Sequence, residues 1–286
     1  MRAEGRARRD AFFAAVGKIP LVMGILNLTP DSFSDGGLHH SAIAAVARAR
    51  QMSAEGCAIV DIGAESTRPG AAPVSAEDEL GRLLPALEQI VDAIDTPISI
   101  DTTKAKVAAV ACRLGAVLVN DVWGLQKDPP IADVAAEAEA GVVITHNRRE
   151  KDPAIDIISD MRGFFDRSLA IADKARVPRE RIILDPGIGF AKTAQQNLQA
   201  FCGVGKLAAD YGLPVLIGAS RKRFLGALSG DGAEGGLIGS VAVNLAAAAA
   251  GAAIFRVHDV AENVIALKLF VQLREATGWT NEGRRT

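Results

Sequence analysis

Residues 97–122 read PISIDTTKAKVAAVACRLGAVLVNDV. The stretch opens with a short β-branched run, PISIDT, and passes through polar punctuation into AKVAAVACRL, which has the apolar spacing of an amphipathic helix. It stops at Gly115, where a helix can end, and resumes as a second apolar run, VLVNDV. Strand, helix and strand in that order make a βαβ unit with parallel strands. Neither run alternates strictly between apolar and polar residues, the pattern of strands covered on both faces.

The unit recurs on both sides. LVMGILNL (21–28), AIVDIGA (58–64), GVVITH (141–146), RIILDPG (181–187), PVLIGAS (214–220) and AAIFRVHD (252–259) bring the strands to eight, each followed by polar punctuation and an amphipathic helical stretch. Eight units in 286 residues, with no linker of biased composition, predict an α/β fold with one closed (β/α)8 TIM barrel over 19–278. Residues 1–18 are then a short N-terminal extension, read as a lead-in or a covering helix, and 279–286 a C-terminal tail. An open doubly wound sheet is the alternative, but the first strand runs into NLTPDSFSDGG, which is not G-x-G-x-x-G. Ser75, in S-A-E-D, has the pattern of a helix cap; Ser41 and Asp31 are further candidate starts, and Gly115, Gly141 and Gly212 candidate stops.

Composition narrows the partners. With 32 Lys and Arg against 34 Asp and Glu, no overall field draws the chain to nucleic acid or to an anionic membrane, so a bound anion needs a local site. Cys57, Cys112 and Cys202 are far apart, without C-x-x-C spacing, which argues against disulfides and a structural zinc and for a reducing cytoplasm. The apolar part of the N-terminus is too short for a signal segment, and NLAAAAAGAA (244–253) too short for a membrane span.

Chemistry collects at the strand ends: Asn27, the turn ESTRPG (65–70), Asp101, Asn120-Asp121, His146-Asn147, Asp185, Ser220-Arg221-Lys222 and Arg256-Val257-His258. Any one of these, taken alone, reads more readily as a cap or turn residue; Asp101 could cap the helix after it, and Asp185, before PGIG, could shape a turn. In a barrel all eight converge on the C-terminal rim, where active sites of this architecture lie. Arg68, Lys222, Arg256 and His258 suit a phosphate or another anion, whereas Asp101, Asn120 and Asp185 suit the donor-rich edge of a flat nitrogen heterocycle. His39, His40, His146 and His258 form no H-x-H or H-E-x-x-H, and no G-x-S-x-G occurs, so metal hydrolysis and nucleophilic serine chemistry lack their parts.

MGILNLTPDSFSDGG, DIGAESTRPGA, ISIDTTKAKVA, LVNDVWG, ILDPGIGFAK, IGASRKRFLG and FRVHDV, in this order from about Leu21 to Val260, together resemble the dihydropteroate synthases, the folate-pathway enzymes targeted by sulfonamides. The resemblance implies a (β/α)8 barrel that condenses 6-hydroxymethyl-7,8-dihydropterin diphosphate with 4-aminobenzoate, releasing diphosphate and using Mg2+. It implies that Asp101, Asn120, Asp185 and Lys222 hold the pterin, that Asn27 contacts magnesium-diphosphate, and that Thr67, Arg68, Arg256 and His258 grip the diphosphate. Phe190, Pro69, Ser220 and Lys222 would frame the aminobenzoate, with Asp101, Lys222 and Arg256 the catalytic residues. A homodimer in the cytoplasm, without nucleic-acid or membrane partners, is the family expectation. Ser220-Arg221-Lys222 is expected to open a helix whose N-terminus receives the aminobenzoate carboxylate, and TPDSFSDGG, with Phe33, to form a lid.

Two departures and two rival readings go with this. The family's L-M-H-M segment after the fifth strand is ITHNRREKDP here, with Thr145 and Asn147 beside His146, and its G-F-G-K is GFAK, with Ala191 for glycine, which matters if that position needs positive φ. A methyltetrahydrofolate-corrinoid methyltransferase would share the pterin-holding Asp and Asn, but has no reason to keep S-R-K, R-V-H and E-S-T-R-P-G together. A binding paralogue without turnover is the non-enzymatic reading.

Overall fold

The computed structural model describes residues 3–28, 37–66, 72–222 and 236–278. Its eight strands are β1 (Leu21–Asn27), β2 (Ile59–Gly63), β3 (Ile98–Asp101), β4 (Leu118–Asp121), β5 (Gly141–Thr145), β6 (Ile182–Asp185), β7 (Leu216–Ile217) and β8 (Ile254–Val257). All pair in parallel in the order β6-β5-β4-β3-β2-β1-β8-β7. A bridge between Leu184 and Val215, with Leu184 N–H donating to the Pro214 carbonyl at 2.9 Å, joins β6 to β7 and closes the ring. The expected TIM barrel is the observed fold.

Helices α1 (Ala3–Ala15), α2 (Gly37–Ala54), α3 (Ala76–Ala93), α4 (Ala105–Leu114), α5 (Pro130–Glu137), α6 (Ile157–Lys174), α7 (Ala194–Cys202), α8 (Val204–Tyr211), α9 (Leu237–Ala249) and α10 (Val260–Thr277), with a short 3-10 turn at Arg179–Arg181, complete the described elements. Ser75 caps α3, its hydroxyl accepting from Asp78 N–H, and Gly115 and Gly212 end α4 and α8 at positive φ. Two expected boundaries differ. α2 already begins at Gly37, so Ser41 lies within it. α5 ends at Glu137 with Ala138 as its cap, the left-handed residue being Glu139 at φ 54°, while Gly141 starts β5. Gly141 is small for another reason: a Cβ there would overlap the Phe13 ring of α1.

Side-chain parity explains why the strands look apolar yet build a polar site. Leu21, Met23, Ile59, Leu118, Val143, Ile183, Leu216 and Ile254 pack together inside the barrel, and Phe12 of α1 plugs this cluster from below. Val22, Val60, Ile62, Ile98, Ile100, Val119, Val142, Ile144, Leu184 and Phe255 belong instead to the shell between strands and helices. Because side chains alternate, the inward positions one step further along are Asp61, Ser99, Asp101, Asn120, Thr145, Asp185 and Arg256. The interior therefore changes from hydrocarbon at the strand starts to charge and amide at their C-terminal ends.

Candidate active site

The centre of this polar layer is Asp61, fully buried in the middle of β2. Its Oδ2 accepts from Arg256 Nε at 2.6 Å and from Asn120 Nδ2 at 3.0 Å, and Arg256 Nη2 donates to Asp101 Oδ2 at 2.6 Å. Asp61, Asp101, Asn120 and Arg256, from four strands, thus form one network on the inner face. Asn120 spends one of its two amide N–H groups on Asp61, which leaves its carbonyl oxygen and the second N–H for a ligand. Asp61 was missed in the sequence, although an aspartate in AIVDIGA, two residues after inward-facing Ile59, is neither a cap nor a turn residue.

Burial pushes the Asp101 carboxyl up to about 7 against the pull of Arg256, with Asp61, Glu79 and Asp121 adding to the rise. Asp101 does not cap α4, whose Ala105 N–H donates to Asp128 Oδ2 at 2.7 Å. Asp121, by contrast, is a turn residue, accepting from Trp123 and Leu125 N–H at 2.8 and 2.6 Å. Asp185 does both jobs. Its Oδ1 accepts Gly187 N–H at 2.7 Å, leaving Oδ2 for a ligand, and burial raises its pKa, opposed first by Lys222.

Lys222 closes the site on the side of β6 and β7. Its Nζ donates to the Ile188 carbonyl and lies 4.7 Å from the centroid of the Phe190 ring. Burial lowers it to about 8, against the attraction of Asp185. Ser220 Oγ and His258 Nδ1 are 3.1 Å apart, joining the ends of β7 and β8. Of the helix expected to open at Ser220, residues 220–222 make a turn with Arg221 at φ 56° and Lys222 N–H on the Ala219 carbonyl at 3.3 Å, and its continuation lies outside the described residues. Arg221 points away to Asp259, 2.5 Å distant.

Asn27 ends β1 exposed at the rim, in register with Gly63 and so on the face of Asp101. No group of three His, Cys, Asp or Glu that could cage a metal occurs among the described residues. A neutral amide oxygen fits a hard cation that brings phosphate oxygens and water as its other ligands. Thr67, Arg68 and Pro69, and Asp31 and Phe33 of the expected lid, lie outside the described residues.

The departures also have a place. His146 turns away from the barrel mouth, its Nε2 3.0 Å from Asp160 Oδ2 and its ring edge-on to Phe164, and burial holds its pKa far below the ordinary value. Asn147 ties the end of β5 to the Val122 carbonyl at 2.9 Å. Thr145 stays on the inner face beside Asp185. Ala191 does adopt positive φ, at 41°.

Comparison with known proteins agrees with this geometry. The model of the pterin binding enzyme family matches residues 23–258. The dihydropteroate synthase of Bacillus subtilis is 46% identical over 240 residues, 84% of each chain. The solved dihydropteroate synthase from Clostridium difficile, in the presence of pteroic acid, superposes with a TM-score of 0.86 at 41% identity, covering 90% of this chain and 98% of that one. The enzyme from Xanthomonas albilineans with 4-aminobenzoic acid gives 0.84 at 39% identity, covering 90% and 94%. The chain belongs to the pterin binding enzyme family, among its dihydropteroate synthases.

Proposed function

We infer that the chain joins 6-hydroxymethyl-7,8-dihydropterin diphosphate to 4-aminobenzoate in folate biosynthesis, forming 7,8-dihydropteroate and releasing diphosphate. The observation that carries this is the clustering of Asp101, Asn120, Asp185, Lys222 and Arg256 at one end of the barrel interior, with acceptors deep and cations beside them. The pterin edge presents donors to Asp185 Oδ2 and the Asn120 carbonyl, and Lys222 supplies the complementary N–H. Arg256 and His258, with Thr67 and Arg68, take the diphosphate; Phe190, Ser220 and Pro69 frame the aminobenzoate.

The reaction breaks the bond between the exocyclic methylene carbon and the diphosphate oxygen and forms one from that carbon to the arylamine nitrogen, which loses a proton. With diphosphate leaving first, the methylene carries positive charge, and the Asp101 carboxylate stabilises it. Arg256 meets the negative charge developing on the leaving oxygen, a preorganised electrostatic contribution rather than covalent catalysis. Magnesium, which Asn27 would help hold, supplies further neutralisation of the diphosphate. The supports for magnesium are the hard donor and the polyanionic leaving group. Free thiols at Cys57, Cys112 and Cys202 support a reducing cytoplasm, and the aminobenzoate subsite supports sulfonamides as competitors of that substrate. Exposed Ile265, Leu269 and Leu273, spaced by four on α10, support a homodimer through this helix.

Incubating the purified protein with both substrates tests the reading: dihydropteroate and diphosphate should appear one to one and only when 4-aminobenzoate is present. Pterin binding without turnover would favour the non-catalytic paralogue, and methyl transfer from methyltetrahydrofolate the corrinoid branch.

A further inference from the structure

Lys192 has no role in the chemistry above, yet only 2% of it is exposed. Its Nζ donates to the carbonyls of Gly187 at 2.8 Å, Phe190 at 3.3 Å and His146 at 3.4 Å, three acceptors for the three N–H bonds of an ammonium. His146 follows β5, whereas Gly187 and Phe190 follow β6, so one side chain ties two rim loops together. Burial lowers its pKa to about 7, against the attraction of Asp185, with Lys222 and Arg148 adding to the fall and Asp160 opposing it.

The loop it holds touches both ends of the pterin site. Gly187 N–H donates to Asp185, the Ile188 carbonyl accepts from Lys222, and the Phe190 ring lies beneath the Lys222 ammonium. The same loop is conformationally demanding, with φ of 66° at Gly187, 87° at Gly189 and 41° at Ala191. A Cβ on Gly187 would overlap the His146 carbonyl oxygen, so the two backbones meet directly. Asn197 of α7 braces the outer side, its Oδ1 accepting Gly189 N–H at 2.7 Å. The inner side is braced by Lys192.

We propose that Lys192 is a positioning residue for the pterin subsite: its ammonium fastens the 187–190 loop to the end of β5 and thereby sets Asp185 and Lys222 for the heterocycle. The proposal rests on the pterin-binding reading and adds a residue that does not itself touch substrate. Lys192→Met keeps the length but leaves three carbonyls without a donor, and Lys192→Ala leaves room for a small amine. In Lys192→Met the KM for pterin diphosphate should rise about tenfold or more, with kcat falling less than about threefold. In Lys192→Ala, added n-propylammonium should restore much of the pterin affinity, measured by calorimetry, and 1-propanol should not. Thermal unfolding of each variant identifies one that fails to fold; the KM decides if only Lys192→Met remains cooperative, and amine rescue if only Lys192→Ala does. Parental KM and affinity in a folded variant, or equal rescue by 1-propanol, would overturn the proposal while leaving the enzyme assignment intact. A parent protein that binds no pterin diphosphate would overturn both.

Discussion

Ala191 shows how a single position carries a stability cost beside the site. Its φ of 41° is left-handed, which an L residue adopts at about 1–2 kcal/mol, partly offset because glycine loses more backbone entropy. Ala191→Gly should stabilise the protein by about 0.5–1 kcal/mol in urea unfolding; a loss of stability would show that the alanine methyl packs usefully. Asp101 illustrates a conflict between function and stability. Its carboxyl rises in the folded protein from 3.8 to about 7, so the folded state binds more protons between those values. The stability this confers is complete below 3.8 and is lost as pH rises through about 7. Replacing it with a neutral amide leaves Arg256 paired with Asp61. Asp101→Asn should therefore raise Tm by about 3 °C at pH 8 and by less at pH 5 while abolishing dihydropteroate formation; a Tm gain equal at both pH values would contradict the shift. These residues also mark what was legible. The strand-end acceptors stood out as polar residues closing apolar runs; Asp61 was marked only by its place inside an apolar run, and Lys192 by nothing local, because the significance of both lies in partners from distant strands and loops.

At the level of elements, the barrel separates its stabilising end from its chemical end. α1, expected only as a lead-in or cover, inserts Phe12 beneath the interior cluster and buries Arg9, whose Nη1 donates to the Glu139 carbonyl at 2.9 Å. Phe12→Ala should cost about 3 kcal/mol through a cavity at the barrel floor, yet leave both KM values unchanged in calorimetric and steady-state measurements. A raised KM would mean that the floor is coupled to the rim. All eight strands were readable because β-branched runs between helical stretches have a strong local pattern. The short turn at Ser220–Lys222 was not, since a left-handed Arg221 held by Asp259 and by Ser240, whose Oγ accepts Arg221 N–H at 3.0 Å, is set by tertiary contacts rather than by local preference.

At the scale of the molecule, the near-neutral charge and the closed barrel set off, among the described residues, a concentrated polar end and an apolar stripe on α10 as features that can face other molecules. If Ile265, Leu269 and Leu273 form a homodimer contact, Leu269→Glu should give a monomer in sedimentation equilibrium; an unchanged mass would exclude that surface. The account stands or falls on the polar end. Its most direct test is 4-aminobenzoate-dependent diphosphate release, with and without magnesium, by the parent protein, Asp185→Ala and Lys222→Ala. The parent should release diphosphate fastest with magnesium, and each variant should lose about 100-fold or more in kcat/KM, about 2.7 kcal/mol of transition-state stabilisation, while remaining folded. Variants as active as the parent would contradict the assignment of this strand-end cluster as the catalytic site.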